Sequence, residues 1–216
     1  ARMERAARGR DTWANVRREP LGLAQNGNSL VVVGDDEVLV VDAQFTREAT
    51  LETLAAIRTV TPHPVRWVVN THWHDDHFAG NQVYRDSFPQ VRFIIHANTR
   101  ADLASLGAPN REGTRNAAPP LVEKYGRQMQ QGLGIDSTPI SRRGRESLTD
   151  AIRIMNRYLE ELPTFRETMN GPSVQDRFDV QLGAREVEVL WLGRANTRGD
   201  LVVHVPGARV IATGDL

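Results

Sequence analysis

Cysteine is absent from the 216 residues, which excludes disulfides, thiolate metal sites, iron–sulfur clusters and a cysteine nucleophile. Lysine is nearly absent: Lys124 stands alone in a cationic set that is otherwise arginine, a skew we read as codon bias. Net charge is missing too. The 27 basic and 27 acidic side chains cancel, leaving no positive field of the kind a dedicated nucleic-acid binder carries. No apolar run approaches the ~20 residues of a membrane span; the longest, such as Leu30–Val33, are strand-sized. Residues 1–19 are rich in Arg, Glu and Asp and do not read as a secretory leader. The chain opens on Ala1, which, with the lack of cysteine, leans towards an exported, periplasmic-type compartment. The composition that remains, 40% hydrophobic and 25% charged, suits one globular domain with a substantial core.

Residues 1–19 read as a charged N-terminal arm of alternating sign (Arg2, Glu4, Arg5, Arg8, Arg10, Asp11), a solvated tail or else a helix, and residues 20–216 as a single domain. Leu30–Val33, Gly34-Asp35-Asp36 and Val38–Val41 spell strand, tight turn, strand. Thr46 to Val60 places Ala49, Leu51, Leu54, Ala55 and Ile57 at helical spacing, and Thr61-Pro62-His63-Pro64 ends that helix. Val65–Val69 and Val91–Ile95 read as buried strands. The segment 98–176 differs, with most of the prolines and polar stretches at Gly107–Pro120 and Gly134–Gly144. Helices are expected there at Leu121–Gly132 and at Ser147–Leu162, the second with Ser147 and Asp150 as a capping box. We read 98–176 as a helical insertion between two sheet halves. Strands resume at Phe178–Leu182, Glu186–Leu192, Leu201–Val205 and Val210–Ala212, the pattern of a layered α/β fold.

Three of the six histidines fall in Thr71-His72-Trp73-His74-Asp75-Asp76-His77, just after the strand ending at Val69-Asn70. Neutral imidazoles and carboxylates are ligands for zinc-like metals. On a loop leaving a strand, His72 and His74 can grip one ion, and Asp76 and His77 a second one a few ångströms away. Two such ions can share a hydroxide and polarise a scissile group.

Asn70–Asn81 resembles the signature of the metallo-β-lactamase superfamily, an αββα sandwich of metal-dependent hydrolases. Leu30–Ala43, with Asp42 at its end, resembles the superfamily's opening strands, where that aspartate supports the metal loop. Leu192–Asp200 resembles its Gly-x-x-His-Thr-x-Gly-Asp loop, and Val210–Leu216 the strand whose final aspartate bridges two metals, here Asp215. The resemblance covers roughly residues 28–98 and 178–216. It implies a metal set of His72, His74, Asp76, His77, Asp215 and Asn196, with Asp76 also the candidate catalytic carboxylate. One or two zinc ions are implied, with manganese or iron fitting the same donors.

Two departures accompany the resemblance. Asn196 stands where the family carries its third first-site histidine, a weaker donor than imidazole. The family's last histidine ligand lies well beyond Asp215, so the second half of the sandwich is expected to be incomplete, through either a fragmentary chain or a degenerate protein. Two functions follow. The leading one is a hydrolase whose metal-bound hydroxide attacks an ester, lactone, amide, thioester or phosphoester in a small-molecule substrate. The other is a degenerate accessory subunit of a larger, membrane-associated assembly, with a protein partner covering the unfinished sheet. Asp215 in place of a cysteine argues against the thiolate-using β-lactamases, and balanced charge against the nucleases. Among the rest, His63 reads as a loop residue, and His96 as near the site side of the sheet. His204 reads as outward-facing, Thr197 and Asp200 as serving a local turn. Trp73 either lines a pocket or packs beside the loop; Asp75 is either solvent-facing or placed behind the ligands.

Overall fold

The computed structural model describes residues 3–5, 12–15 and 27–216. Two sheets stack on each other. The larger takes its strands in chain order: β1 (Met3–Arg5), β2 (Thr12–Asn15), β3 (Ser29–Val33), β4 (Val38–Val41), β5 (Val65–Val69), β6 (Arg92–His96) and β7 (Ser173–Val174). β1 to β4 pair antiparallel, whereas β4, β5, β6 and β7 run parallel. The smaller sheet is antiparallel throughout, with β11 (Val210–Ala212), β10 (Leu201–Val205), β9 (Arg185–Trp191) and β8 (Arg177–Leu182) side by side.

The valine-rich strands of the larger sheet are apolar on both faces because both faces are covered. Val32, Leu39, Val41, Val69 and Ile94 meet Val180, Leu182, Val187 and Val203 of the smaller sheet. The alternate residues, Val31, Val38, Val40, Val68 and Phe93, pack under Leu54 and Ile57 of α1 (Arg47–Arg58) and Val83 and Tyr84 of α3 (Asn81–Ser87). Each fully buried aliphatic side chain contributes about 1.5–3 kcal/mol to folding. Thr46 caps α1 by accepting from the Ala49 amide at 3.2 Å. A short α2 (Asp75–Phe78) precedes α3. The mixed α/β architecture is the one the sequence implied.

Between β6 and β7 the chain is helical: α4 (Ala97–Asp102), a π-helical turn Leu103–Gly107, α5 (Ala108–Gln130) and α6 (Arg142–Glu161). Two expectations need correction here. The helix expected at Leu121–Gly132 begins earlier: α5 starts at Ala108 and runs through the polar stretch and through Pro119 and Pro120. Both prolines are exposed, so water can satisfy the carbonyls they leave unpaired. The opposite side of α5, Ala118 and Tyr125, packs on Leu148, Ala151 and Met155 of α6. Nor is Ser147 a cap: it is buried inside α6, and Ser141 caps the helix by accepting from Gly144 N at 3.0 Å. The segment's last residues run beside β6, where Phe93 N donates to Asn170 O at 3.1 Å.

The N-terminal arm also departs from both of its expected forms. Its described parts are strands, with Thr12–Asn15 paired to Ser29–Val32. Backbone pairing to an open edge needs no apolar pattern, so charge alternation concealed it. Arg2, Arg8, Arg10 and Asp11 lie outside the described residues.

Because β4, β5 and β6 are parallel, their C-terminal ends share one edge of the sandwich, the place where α/β sheets bind ligands. The β9–β10 loop and the end of β11 reach the same edge.

Candidate metal centre

β4 ends at Val41, and Asp42 takes a left-handed backbone with φ of 61°, a conformation aspartate tolerates better than most residues. Its buried carboxylate accepts from the Thr71 amide at 2.7 Å, from the Thr71 hydroxyl at 2.9 Å and from His77 Nδ1 at 2.8 Å. Holding Nδ1 in this way turns Nε2 of His77 towards the open side. Asn70 fixes the far end of the same loop: its amide donates to the His77 carbonyl at 2.8 Å and exchanges bonds with Asn81.

Two donor clusters result. In the first, His72 Nε2 and His74 Nδ1 are 3.0 Å apart, and the Asn196 side-chain nitrogen lies 3.4 Å from each. Turning that carboxamide over would present its oxygen to the same point. In the second, His77 Nε2 is 3.2 Å from Asp76 Oδ2 and 3.2 Å from Asp215 Oδ1. Asp215 Oδ2 is also 3.9 Å from His72 Nε2, so this carboxylate stands between the clusters. One donor atom each from His72, His77 and Asp215 falls within 4.8 Å of the others. Imidazole nitrogens and carboxylates that converge in this way could hold a metal ion.

Burial, and then the neighbouring His77, hold the His72 pKa below the ordinary imidazole value, which keeps its nitrogen free to coordinate. Burial also opposes charge on His77, but Asp42, Asp215 and Asp76 outweigh it and raise that pKa well above the usual range. The bond to His77 chiefly lowers the Asp215 pKa.

Asp215 is placed by its neighbour. Gly214 has φ of 62°, and a Cβ there would come 2.5 Å from Thr71 Oγ1; only glycine lets the last strand approach the metal loop so closely. Thr71 O in turn accepts from Leu201 N at 2.8 Å, joining the two sheets. The loop bearing Asn196 is held through α4: Asn98 donates to Arg198 O at 3.0 Å and Thr99 to Gly199 O at 3.0 Å. Arg198 pairs with Asp102.

Other residues singled out from the sequence have different duties. His96 is buried, caps α4 by accepting from Asn98 N, sets Nε2 against Gln175 O and stacks on Trp191. Both its nitrogens are thus engaged in structure. His63 lies in the irregular segment between α1 and β5. His204 is half-exposed and pairs with Glu188 at 2.8 Å. Trp73 packs with Phe78 and Leu103. Thr197 and Asp200 bond each other within their turn. Asp75 is not solvent-facing: it is 5% exposed, bonded by Tyr158 and by Arg111 at 3.4 Å. Burial raises its pKa, and these two partners oppose the shift. Neither partner was recognisable in the sequence, since both lie far along the chain inside the helical segment.

A sandwich of two sheets with histidines and aspartates gathered at one edge defines a metallo-hydrolase class of fold. The model of the metallo-beta-lactamase superfamily matches residues 23–216, and the chain belongs to that superfamily. Solved structures agree on the fold. A metallo-beta-lactamase from Pontibacter korlensis superposes with a TM-score of 0.57 at 15% identity, over 97% of this chain and 70% of that one. FEZ-1 metallo-beta-lactamase from Legionella gormanii gives 0.56 at 13%, over 95% and 58%. The stereoselective inverting sec-alkylsulfatase Pisa1 from Pseudomonas sp. gives 0.57 at 17%, over 91% and 28%. This chain therefore spans between about a quarter and 70% of the length of these relatives in fold.

Proposed function

We propose that this chain is a zinc-type metallo-hydrolase acting on a small ester-like molecule: an ester, lactone, amide, thioester or phosphoester. The observation that carries the reading is the position of Asp215, with one oxygen 3.2 Å from His77 and the other 3.9 Å from His72, the place of a shared ligand. A divalent ion held by these residues would supply water of lowered pKa and polarise the scissile bond. The residues do the rest. His72, His74 and Asn196 form one grip, and Asp76, His77 and Asp215 the other. Asp42 holds the His77 ring with Nε2 outward. Asp76 Oδ2, partly exposed beside that nitrogen, is the carboxylate that receives the proton of the attacking water. The sulfatase and lactamase activities named for proteins of like fold add sulfate esters and β-lactams to the candidates.

Asn196 favours a second reading, an accessory subunit that keeps the fold without turnover, because a carboxamide binds metal less strongly than imidazole. Metal content by inductively coupled plasma mass spectrometry, on protein purified without chelators, separates the two. Near two transition metals per chain, with hydrolysis on an ester, lactone, sulfate-ester and phosphoester panel abolished by Asp76→Asn, is the expected result. A folded protein with no metal and no turnover would leave only the accessory role.

A further inference from the structure

We propose that the helical segment sets the geometry of the metal-holding loop, with Tyr158 of α6 and Arg111 of α5 acting as positioning residues through Asp75. This rests on the metal-site reading above and names the part of the chain that enforces it. Asp75 lies between two candidate ligands. Its neighbours on either side face the donor clusters: His74 Nδ1 is 3.0 Å from His72 Nε2, and Asp76 Oδ2 is 3.2 Å from His77 Nε2. Asp75 itself turns the other way, into the helices. Its Oδ2 takes the Tyr158 hydroxyl and its Oδ1 takes Arg111. The middle of the ligand-bearing turn is thus pinned from behind.

Tyr158 makes a second grip with its ring. It stacks on Phe45, centroids 4.0 Å apart and planes within 9°. Phe45 lies three residues after Asp42, the carboxylate that holds His77. A single side chain therefore touches both loops that carry the site, one with its face and the other with its hydroxyl. Arg111 is fixed in turn: its guanidinium sits 4.4 Å from the Phe165 ring centroid and reaches Glu167 at 3.2 Å. A buried carboxylate whose two oxygens are both engaged resists rotation, and losing one partner leaves a desolvated acceptor that drags the turn with it. Groups that orient a ligand from behind it govern metal affinity, commonly by 10–100-fold.

The test is zinc affinity by competition with a chromophoric chelator, together with the d–d absorption bands of the cobalt(II)-loaded protein. Tyr158→Phe keeps the stack and removes only the hydroxyl; it is expected to weaken zinc by about tenfold or more and to shift the cobalt bands. Asp75→Asn should do the same. Leu148→Ala is the control for general loosening, because Leu148 is buried between α5 and α6 without touching the loop; its affinity should stay within about twofold of wild type. Amide exchange over residues 74–79 in the metal-free protein should quicken in Tyr158→Phe and not in Leu148→Ala. Wild-type zinc binding with no change in Tyr158→Phe, or an equal change in Leu148→Ala, overturns this inference alone. A wild-type protein that binds neither zinc nor cobalt overturns the metal-site reading and this inference together.

Discussion

The two sheets are buried to different depths, and the difference reaches the candidate site. β3 and β4 of the larger sheet are buried at every residue, whereas β8 alternates, with Val180 and Leu182 inside and Arg177, Asp179 and Gln181 on the outer face. The outer face of the smaller sheet is correspondingly charged: Arg177 pairs with Asp179 and Glu188, and Glu188 with His204. The donors follow the same division. Those on loops of the larger sheet include the buried His72 and His77, their rings set by Thr71 and Asp42, while Asn196 and Asp215, from the smaller sheet, are exposed. A sheet covered on both faces supplies the buried half of the centre, and a sheet covered on one face supplies the exposed half.

The sharpest way to break this comparison is to remove the buried half's anchor. Asp42→Ala leaves the His77 ring and the Thr71 amide without their buried acceptor and should destabilise the metal-free protein by about 3–5 kcal/mol, read from urea unfolding, besides weakening zinc binding. Next comes the doubly covered core. Leu39→Ala should cost about 2–5 kcal/mol in the same assay; a loss below 1 kcal/mol would mean the layers are not packed as described. On the exposed half, Asn196→His should tighten binding at the first cluster by about tenfold, about 1.4 kcal/mol, in chelator competition; unchanged affinity would remove Asn196 from the ligand set. The smallest effect belongs to the charged outer face. Arg177→Ala should change stability by no more than about 0.5 kcal/mol, because its ion pairs are exposed.

The same contrast explains what the sequence disclosed. Leu30–Val33 and Val38–Val41 are legible as strands because two-faced burial writes short unbroken apolar runs, and β8 and β9 because one-faced burial writes alternation. The residues 72–77 could be singled out since their donors are close in sequence and follow a strand. Contacts between distant segments leave no such trace. Nothing local marks Tyr158 or Arg111 as partners of Asp75, 83 and 36 residues away. Pro119 and Pro120 stand inside α5 because they face water while Ala118 packs on α6, an arrangement that propensity does not register. Thr12–Asn15 was concealed because its pairing with the backbones of β1 and β3 needs no apolar pattern of its own. His96 drew attention by its position at a strand end, yet its nitrogens cap a helix and bond a carbonyl.

The contact of Gly214 with Thr71 has a mechanical meaning. His72 and Asp215 lie 143 residues apart in the chain, on loops of different sheets, and one ion gripped by both would tie the sandwich shut. A chain without a single cysteine would then own a reversible cross-link, closed by zinc and opened by a chelator. Anything that binds only the folded state adds RT ln(1 + [L]/Kd) to its stability. The unfolding temperature should therefore climb with free zinc, and Gly214→Ala, which pushes the last strand off Thr71, should flatten that climb before it disturbs the metal-free fold.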